Sequence, residues 1–242
     1  MTFCLGIKVD EGRVGIADSR ILSGSEMVEA RKVTVYQQER QAMFVMTSGL
    51  RSLRDKAVTY FEEVMAQHDE PLDHLFKAVN LFAAQVRRVA HEDKEFLQES
   101  GLPFDIAALI GGQFEHDKEH KLYLLYAQGN WIEVGRGTPY QIIGASGYGK
   151  PILDRTLKYS DPMRFALKVG CLAFDSTRIS AAGVDFPIDV LLYAQGSYRL
   201  IEHRYEKDDL EHVSTWWQDR LRRSVNELPD QWLDGAFAKL AR

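Results

Sequence analysis

The sequence predicts an α+β fold, a four-layer αββα sandwich with a C-terminal helical extension. Three observations predict it. Short apolar runs pair as hairpins at the start, middle and end of the chain, two stretches of helical apolar spacing each supply a helix pair, and these blocks follow the order strands, two helices, strands, two helices, strands. Two antiparallel sheets can bury one face against each other and the opposite face under a helix pair, which accounts for that alternation.

The elements follow in order. Residues 3–9 and 13–18 are β-rich runs separated by Asp10-Glu11-Gly12, a hairpin signature. Residues 33–36 and 42–47 repeat the pattern. The period then changes: a helix is predicted over 50–67 and a second over 71–92, where Leu72, Leu75, Phe76, Val79, Phe82, Ala83 and Val86 recur at three and four residues. Strand patterns return at 105–112, 121–126 and 131–135, with turns at 115–120 and Gln128-Gly129-Asn130. A second helix pair is predicted at 149–158 and 162–174, and strands at 188–194 and 198–203 with Gln195-Gly196-Ser197 as the turn. In the tail, Leu210, Val213, Trp216, Trp217 and Leu221 form one helical stripe, and Trp232, Phe237 and Leu240 a second after Pro229. A helix docked on its own domain is the favoured reading of this tail, with a subunit-contact arm as the alternative.

Composition narrows the function classes. The chain has 242 residues, 45% hydrophobic and 27% charged, enough for one sizeable core, so residues 1–242 are expected to form a single domain with 204–242 as its tail. A net charge of −5 argues against a nucleic-acid-binding surface, which needs a basic stripe. The one basic cluster, Arg220-Leu221-Arg222-Arg223, reads as a solvated helix face or a subunit contact. Cys4 and Cys171 lie in apolar segments without metal or redox spacing, as small buried hydrophobes of a reducing cytosol do. No run reaches transmembrane length and the start lacks a signal-peptide pattern, so a cytoplasmic protein without membrane contact is expected.

The first thirty-three residues carry the chemistry. Met1-Thr2, Ala17-Asp18-Ser19-Arg20 on the second strand and Arg31-Lys32-Val33 before another supply, once Met1 is removed, an N-terminal threonine, a carboxylate and an amine. A threonine hydroxyl attacks an amide only when a base takes its proton as the bond forms. The residue's own α-amine, with an unperturbed pKa of roughly 7.7–8.0, is suited to that task at neutral pH. A retained Met1 would turn the amine into a peptide nitrogen with no basicity.

Thr2 with the Ala17–Arg20 run, Lys32 ahead of an apolar strand, Ser48-Gly49 before a helix, and Ile143-Gly144-Ala145-Ser146-Gly147 resemble, in order, the proteasome β-subunit family, and within it the bacterial ancestral-β-subunit (Anbu) group. The resemblance runs to about residue 203 and implies the N-terminal-nucleophile hydrolase fold. It implies Thr2 as nucleophile with its amine as base, and Asp18 holding Lys32 so that the ammonium lowers the hydroxyl's pKa. It further implies Gly49 N–H as oxyanion donor, Ser146 orienting the amine, and Asp175 in support. It implies no metal or organic cofactor, and head-to-tail homo-oligomers as rings or open helices. A peptide or amide is the implied substrate; no unfoldase partner is named. One departure is plain: the family's serine three positions after that aspartate is Arg178 here. The resemblance also implies a substrate pocket lined by Ile21, Ala30, Thr47 and Arg51, with Arg51 either facing inward or facing solvent.

Taken singly, these residues have plainer readings. Asp18 ends a strand, where aspartates cap turns; Lys32 suits a surface charge; Ser146 suits an N-cap. Their joint spacing with Thr2 favours catalysis. His116 and His120 are four apart, a metal-ligand spacing on a helix, but the charged connection around them reads as a solvated hairpin tip, and no metal site is assigned. Two alternatives to a peptidase remain: a narrow amidase on small peptides or conjugates, and a non-catalytic assembly module that keeps Met1.

Overall fold

Pairing of short apolar strands builds two five-stranded antiparallel sheets. The computed structural model describes residues 2–23, 26–67 and 72–240; Met1 and Pro71 lie outside them. One sheet starts from the tight hairpin of β1 (Phe3–Val9) and β2 (Gly12–Asp18), where Gly12 at φ +155° lets the chain pass so close to Tyr193 that a Cβ would lie 2.0 Å from its carbonyl oxygen. A short hairpin, β3 (Arg20–Ser23) with β4 (Glu26–Glu29), stands apart as a two-stranded sheet. The second sheet is built from β5 (Val33–Gln38), β6 (Gln41–Gly49), β7 (Ile106–Phe114), β8 (Lys121–Leu125) and β9 (Trp131–Glu133) in that spatial order. The first is completed by β10 (Tyr140–Gly144), β11 (Ile188–Ala194) and β12 (Leu200–Tyr205), in the order β10-β1-β2-β11-β12.

Between β6 and β7 run α1 (Arg51–Ala66) and α2 (Leu75–Glu99); between β10 and β11 run α3 (Lys150–Thr156) and α4 (Met163–Ser180). Phe61, Val79, Phe82 and Val86 of the first pair pack on Met43, Val45 and Ile110 of the second sheet. On the opposite side Gly170 of α4 brings that helix against β1 and β2, since a Cβ there would lie 2.7 Å from Ile16 Cδ1. A third apolar layer, including Cys4, Ala17, Phe44, Leu109 and Leu191, fills the space between the sheets. The αββα arrangement is the one the sequence predicts.

Several elements differ from expectation. The β3–β4 hairpin and β10 carry no strand signal in the sequence, and α2 continues seven residues past 92 because Lys94, Glu95, Leu97 and Gln98 are good helix formers. The tail forms a compact unit of its own from Lys207 onward and holds α5 (Lys207–Asn226), a 3₁₀ turn at Gln231–Leu233 and α6 (Asp234–Phe237), helical as the sequence predicts. Among the described residues no helix is long and apolar enough to cross a membrane.

The reading of 115–120 as a solvated tip holds for exposed His116 and fails for His120, which is fully buried. The cause is parity: His120 continues the face of Leu122 and Leu124, which points between the sheets. There it meets Tyr193, with ring centroids 6.5 Å apart, near the buried Lys8 and Arg13. Burial, and then the charges of Arg13 and Lys8, lower its pKa to about 3. The unfolded chain, with an ordinary value of about 6.5, therefore takes up the proton first, and stability is lost as pH falls from about 6.5 toward 3, by up to about 1.4 kcal/mol per pH unit. His120→Asn lacks this dependence. Denaturant midpoints measured from about pH 7 to about pH 4 are expected to show wild type losing its advantage over the variant on acidification.

Candidate active site

Thr2 stands immediately before β1, and two main-chain contacts hold it. Its carbonyl oxygen accepts a hydrogen bond from Ala145 N–H at 2.7 Å, and the next N–H along, from Phe3, donates to Asp18 Oδ1 at 2.7 Å. The first contact depends on Gly144, at φ +85°, where a Cβ would lie 2.0 Å from the Thr2 carbonyl oxygen. The second depends on antiparallel register: Cys4 sits opposite Ala17, which brings the end of β2 beside the start of β1.

Asp18 is fully buried, and its Oδ1 also accepts from Lys32 Nζ at 2.7 Å. Lys32, 4% exposed, donates a second hydrogen bond to the Arg20 carbonyl oxygen at 2.7 Å. Burial pushes the Asp18 carboxyl up from its ordinary value, against the pull of the Lys32 charge and of the Lys32 and Phe3 hydrogen bonds. One carboxylate oxygen thus ties an ammonium to the main chain beside Thr2.

Gly49 ends β6 at φ +107°, opposite Ile106, and a Cβ there would lie 2.1 Å from the Asp105 carbonyl oxygen. Only glycine fits that approach. Thr2 and Gly49 line one cavity of about 590 Å³ with Ser48, Tyr126, Gln141 and Ile143, a size within the range of ligand clefts. A second cavity of about 200 Å³ is lined by Lys32, Thr34, Thr47, Arg54 and Asp55, among others. Of the four residues expected to line a substrate pocket, Thr47 is in that lining; Ile21, Ala30 and Arg51 are not. Arg51 is exposed and its Nε lies 3.2 Å from Asp55 Oδ2, which settles the choice of orientation for solvent. Arg54, 14% exposed along its side chain, reaches the cavity instead.

Ser146 is exposed in the turn after Ala145 and outside the lining of the larger cavity; its carbonyl accepts Lys150 N–H at 3.2 Å as α3 begins. Asp175 is buried on α4, where Arg178 one turn on donates to its Oδ1 from Nε at 2.9 Å, with Nη2 in ion-pair contact 2.8 Å from the same oxygen. The departure noted in the sequence is therefore an ion pair within the helix. The clamp on Thr2 by Gly144 and Ala145 was not singled out by sequence reasoning, although both residues lie in the Ile143–Gly147 run.

No protein-family model and no curated protein matches the sequence. Solved structures do. Anbu from Yersinia bercovieri superposes with a TM-score of 0.86 at 27% identity, over 94% of this chain and 97% of that one. An Anbu (Gly-1) mutant from Hyphomicrobium sp. strain MC1 gives 0.87 at 26% identity, over 95% and 98%. The helical assembly of the Anbu complex from Pseudomonas aeruginosa gives 0.88 at 27% identity, over 94% and 97%. The chain has the fold of the Anbu group of proteasome-like proteins. Near-complete coverage in both directions carries the Anbu likeness through the tail as well as the sandwich.

The buried ion pair makes a stability prediction that is independent of catalysis. Removing one partner leaves the other charge buried and uncompensated, so Asp18→Asn and Lys32→Met are each expected to cost about 3–5 kcal/mol. The double variant is expected to cost less than the two together. Chemical denaturation of the four proteins checks this, and additive losses would exclude the coupling.

Proposed function

We propose that the chain is a threonine-type amidohydrolase or peptidase in which removal of Met1 exposes Thr2 as the nucleophile. The observation that carries this reading is the single Asp18 oxygen shared by Lys32 Nζ and Phe3 N–H, beside a cavity that Thr2 lines together with Gly49. In the proposed reaction the freed Thr2 amine takes the hydroxyl proton as Oγ attacks the amide carbonyl carbon. Gly49 N–H donates to the oxyanion, an interaction whose loss typically costs on the order of 10²–10³ in rate. Collapse breaks the C–N bond, the proton passes to the departing amine, and an ester remains on Thr2. Water, deprotonated by the same amine, then releases the acid. Lys32, held by Asp18, supplies positive charge near the hydroxyl, Ser146 helps orient the amine, and Asp175 supports the network from α4.

The chain is proposed to act as a bacterial cytoplasmic protein and to self-associate; the helical assembly of the Pseudomonas aeruginosa relative supports open helical stacking over isolated subunits. A narrow amidase with the same residues and a restricted pocket is a second reading; Arg178, which holds Asp175 where the family has a hydroxyl, bears on the strength of activity under either.

Intact mass with and without an epoxyketone tests the proposal. The expected result is loss of Met1 and one adduct that disappears in Thr2→Ala, with Lys32→Met slowing turnover about 100-fold or more. Retained Met1 with no adduct would overturn it. Cleavage of short peptides without degradation of an unfolded protein would select the narrow amidase.

A further inference from the structure

A second cluster of chemically competent side chains lies at the start of α2. Asp73 and His74 directly precede Leu75, and His116 lies in the turn between β7 and β8. His74 Nδ1 is 2.9 Å from Asp73 Oδ1, and His116 Nδ1 is 3.4 Å from Asp73 Oδ2. One donor atom from each of the three lies within 4.8 Å of the other two, and the imidazoles stand edge to face with centroids 5.7 Å apart.

The backbone that carries these groups is fixed from both sides. His116 N–H donates to the Asp73 carbonyl oxygen at 2.9 Å. Beneath them the buried Asp117 receives Leu75 N–H at 3.0 Å and Phe114 N–H at 2.9 Å on the same Oδ2, joining the start of α2 to the end of β7. Such support holds donors in place before a ligand arrives, so less ordering entropy is lost on binding.

Tetrahedral coordination at about 2.0–2.1 Å places neighbouring nitrogen and oxygen donors about 3.4 Å apart. The distances across Asp73 lie at or just below that value, within reach of small rotations. Two imidazoles and a carboxylate suit zinc and its neighbours better than calcium or magnesium, which prefer all-oxygen shells. Hydrogen bonds from Lys77 and then His74 hold the Asp73 carboxyl below its ordinary range, so it is already the anion a metal requires. Lys77 Nζ, 2.8 Å from Asp73 Oδ1, is the resident competitor.

We propose that Asp73, His74 and His116 form a surface site for a divalent transition-metal ion of the zinc class. The fourth position is open to water or to a donor from another molecule. Binding turns both Nδ1 atoms toward the ion, leaves the protons on Nε2, and releases Lys77 to solvent. The site is separate from the Thr2 cavity and does not depend on hydrolysis.

The test uses the full chain after chelator treatment, with Zn²⁺ followed by calorimetry and Co²⁺ by its visible absorption. One saturable equivalent with a four-coordinate Co²⁺ spectrum is expected. His116→Ala removes an exposed side chain and is expected to weaken Zn²⁺ binding at least about tenfold, whereas Lys77→Met, which removes the competitor, is expected to tighten it. No saturable binding, or the same affinity in His116→Ala, would overturn the proposal and leave a hydrogen-bonded His–Asp–His cluster.

Discussion

The Asp18 carboxylate is the constraint on which the arrangement around Thr2 depends. It is fully buried, yet one of its oxygens meets both the Phe3 amide and the Lys32 ammonium at 2.7 Å. A carboxylate in that position without donors would carry a desolvation penalty of several kcal/mol. The start of β1, the end of β2 and the residue before β5 are therefore held to one point, and Lys32's second bond, to the Arg20 carbonyl, extends the restraint to the start of β3. Thr2 inherits its position from this node and from the Gly144–Ala145 clamp on its carbonyl. Any chemistry at Thr2 begins from a main chain fixed on both sides.

The two ends of the inter-sheet space are unlike. At the Thr2 end the sheets open around a cavity of about 590 Å³. Residue 8 is six positions along β1, on the same face as Thr2 and about 20 Å away at the rise of an antiparallel strand. Here the sheets close over Lys8, Arg13 and His120, each 1% exposed or less. Lys8 lies 3.3 Å from Glu119 and 3.4 Å from Glu133, which offsets its charge, and His120 stays neutral because it is buried and, secondly, because a third cation there would be repelled. An apolar core fills the middle. One layer thus has a polar, closed end and an open end at Thr2, with no change of architecture between them.

Much of this was legible from periodicity. Short apolar, β-rich runs mark β1, β2, β6 and β7 because nearly every residue of each is buried, one face against the other sheet and one under a helix pair, and the three- and four-residue spacing of α1 and α2 follows from one buried stripe per helix. β10 is a five-residue strand placed between Pro139 and Gly144, too short to establish a period, although its pairing with β1 helps to form the cavity wall. In the site, Thr2, Asp18 and Lys32 drew attention by their chemistry within the first thirty-three residues, and Gly49 entered only through the family resemblance; the fold pairs Asp18 with Lys32 and puts Thr2 and Gly49 on one cavity. The burial of His120 and the neighbour of His116 were not, because both are set by which strand face and which helix start the turn meets. Sequence spacing paired His116 with His120, whereas the fold pairs His116 with His74 through Asp73.

Arg178 shows how one substitution redistributes a network without changing the fold. A serine would offer Asp175 one neutral hydrogen bond. Arginine offers one from Nε and a full charge with Nη2 against the same oxygen, and fixes Oδ1 along the helix. Its guanidinium also lies over the Phe186 ring at 5.3 Å, so packing as well as charge holds it there. Asp175 keeps its place and its helix, but its charge is met within α4 and its other oxygen has no hydrogen-bond partner among the described residues. Under the proposed mechanism the Thr2 amine then draws less support from the α4 side, while the Asp18–Lys32 pair that acts on the hydroxyl is untouched. Such a loss would bear on the rate of proton transfer and not on the placing of Thr2, which rests on the Ala145 and Asp18 contacts.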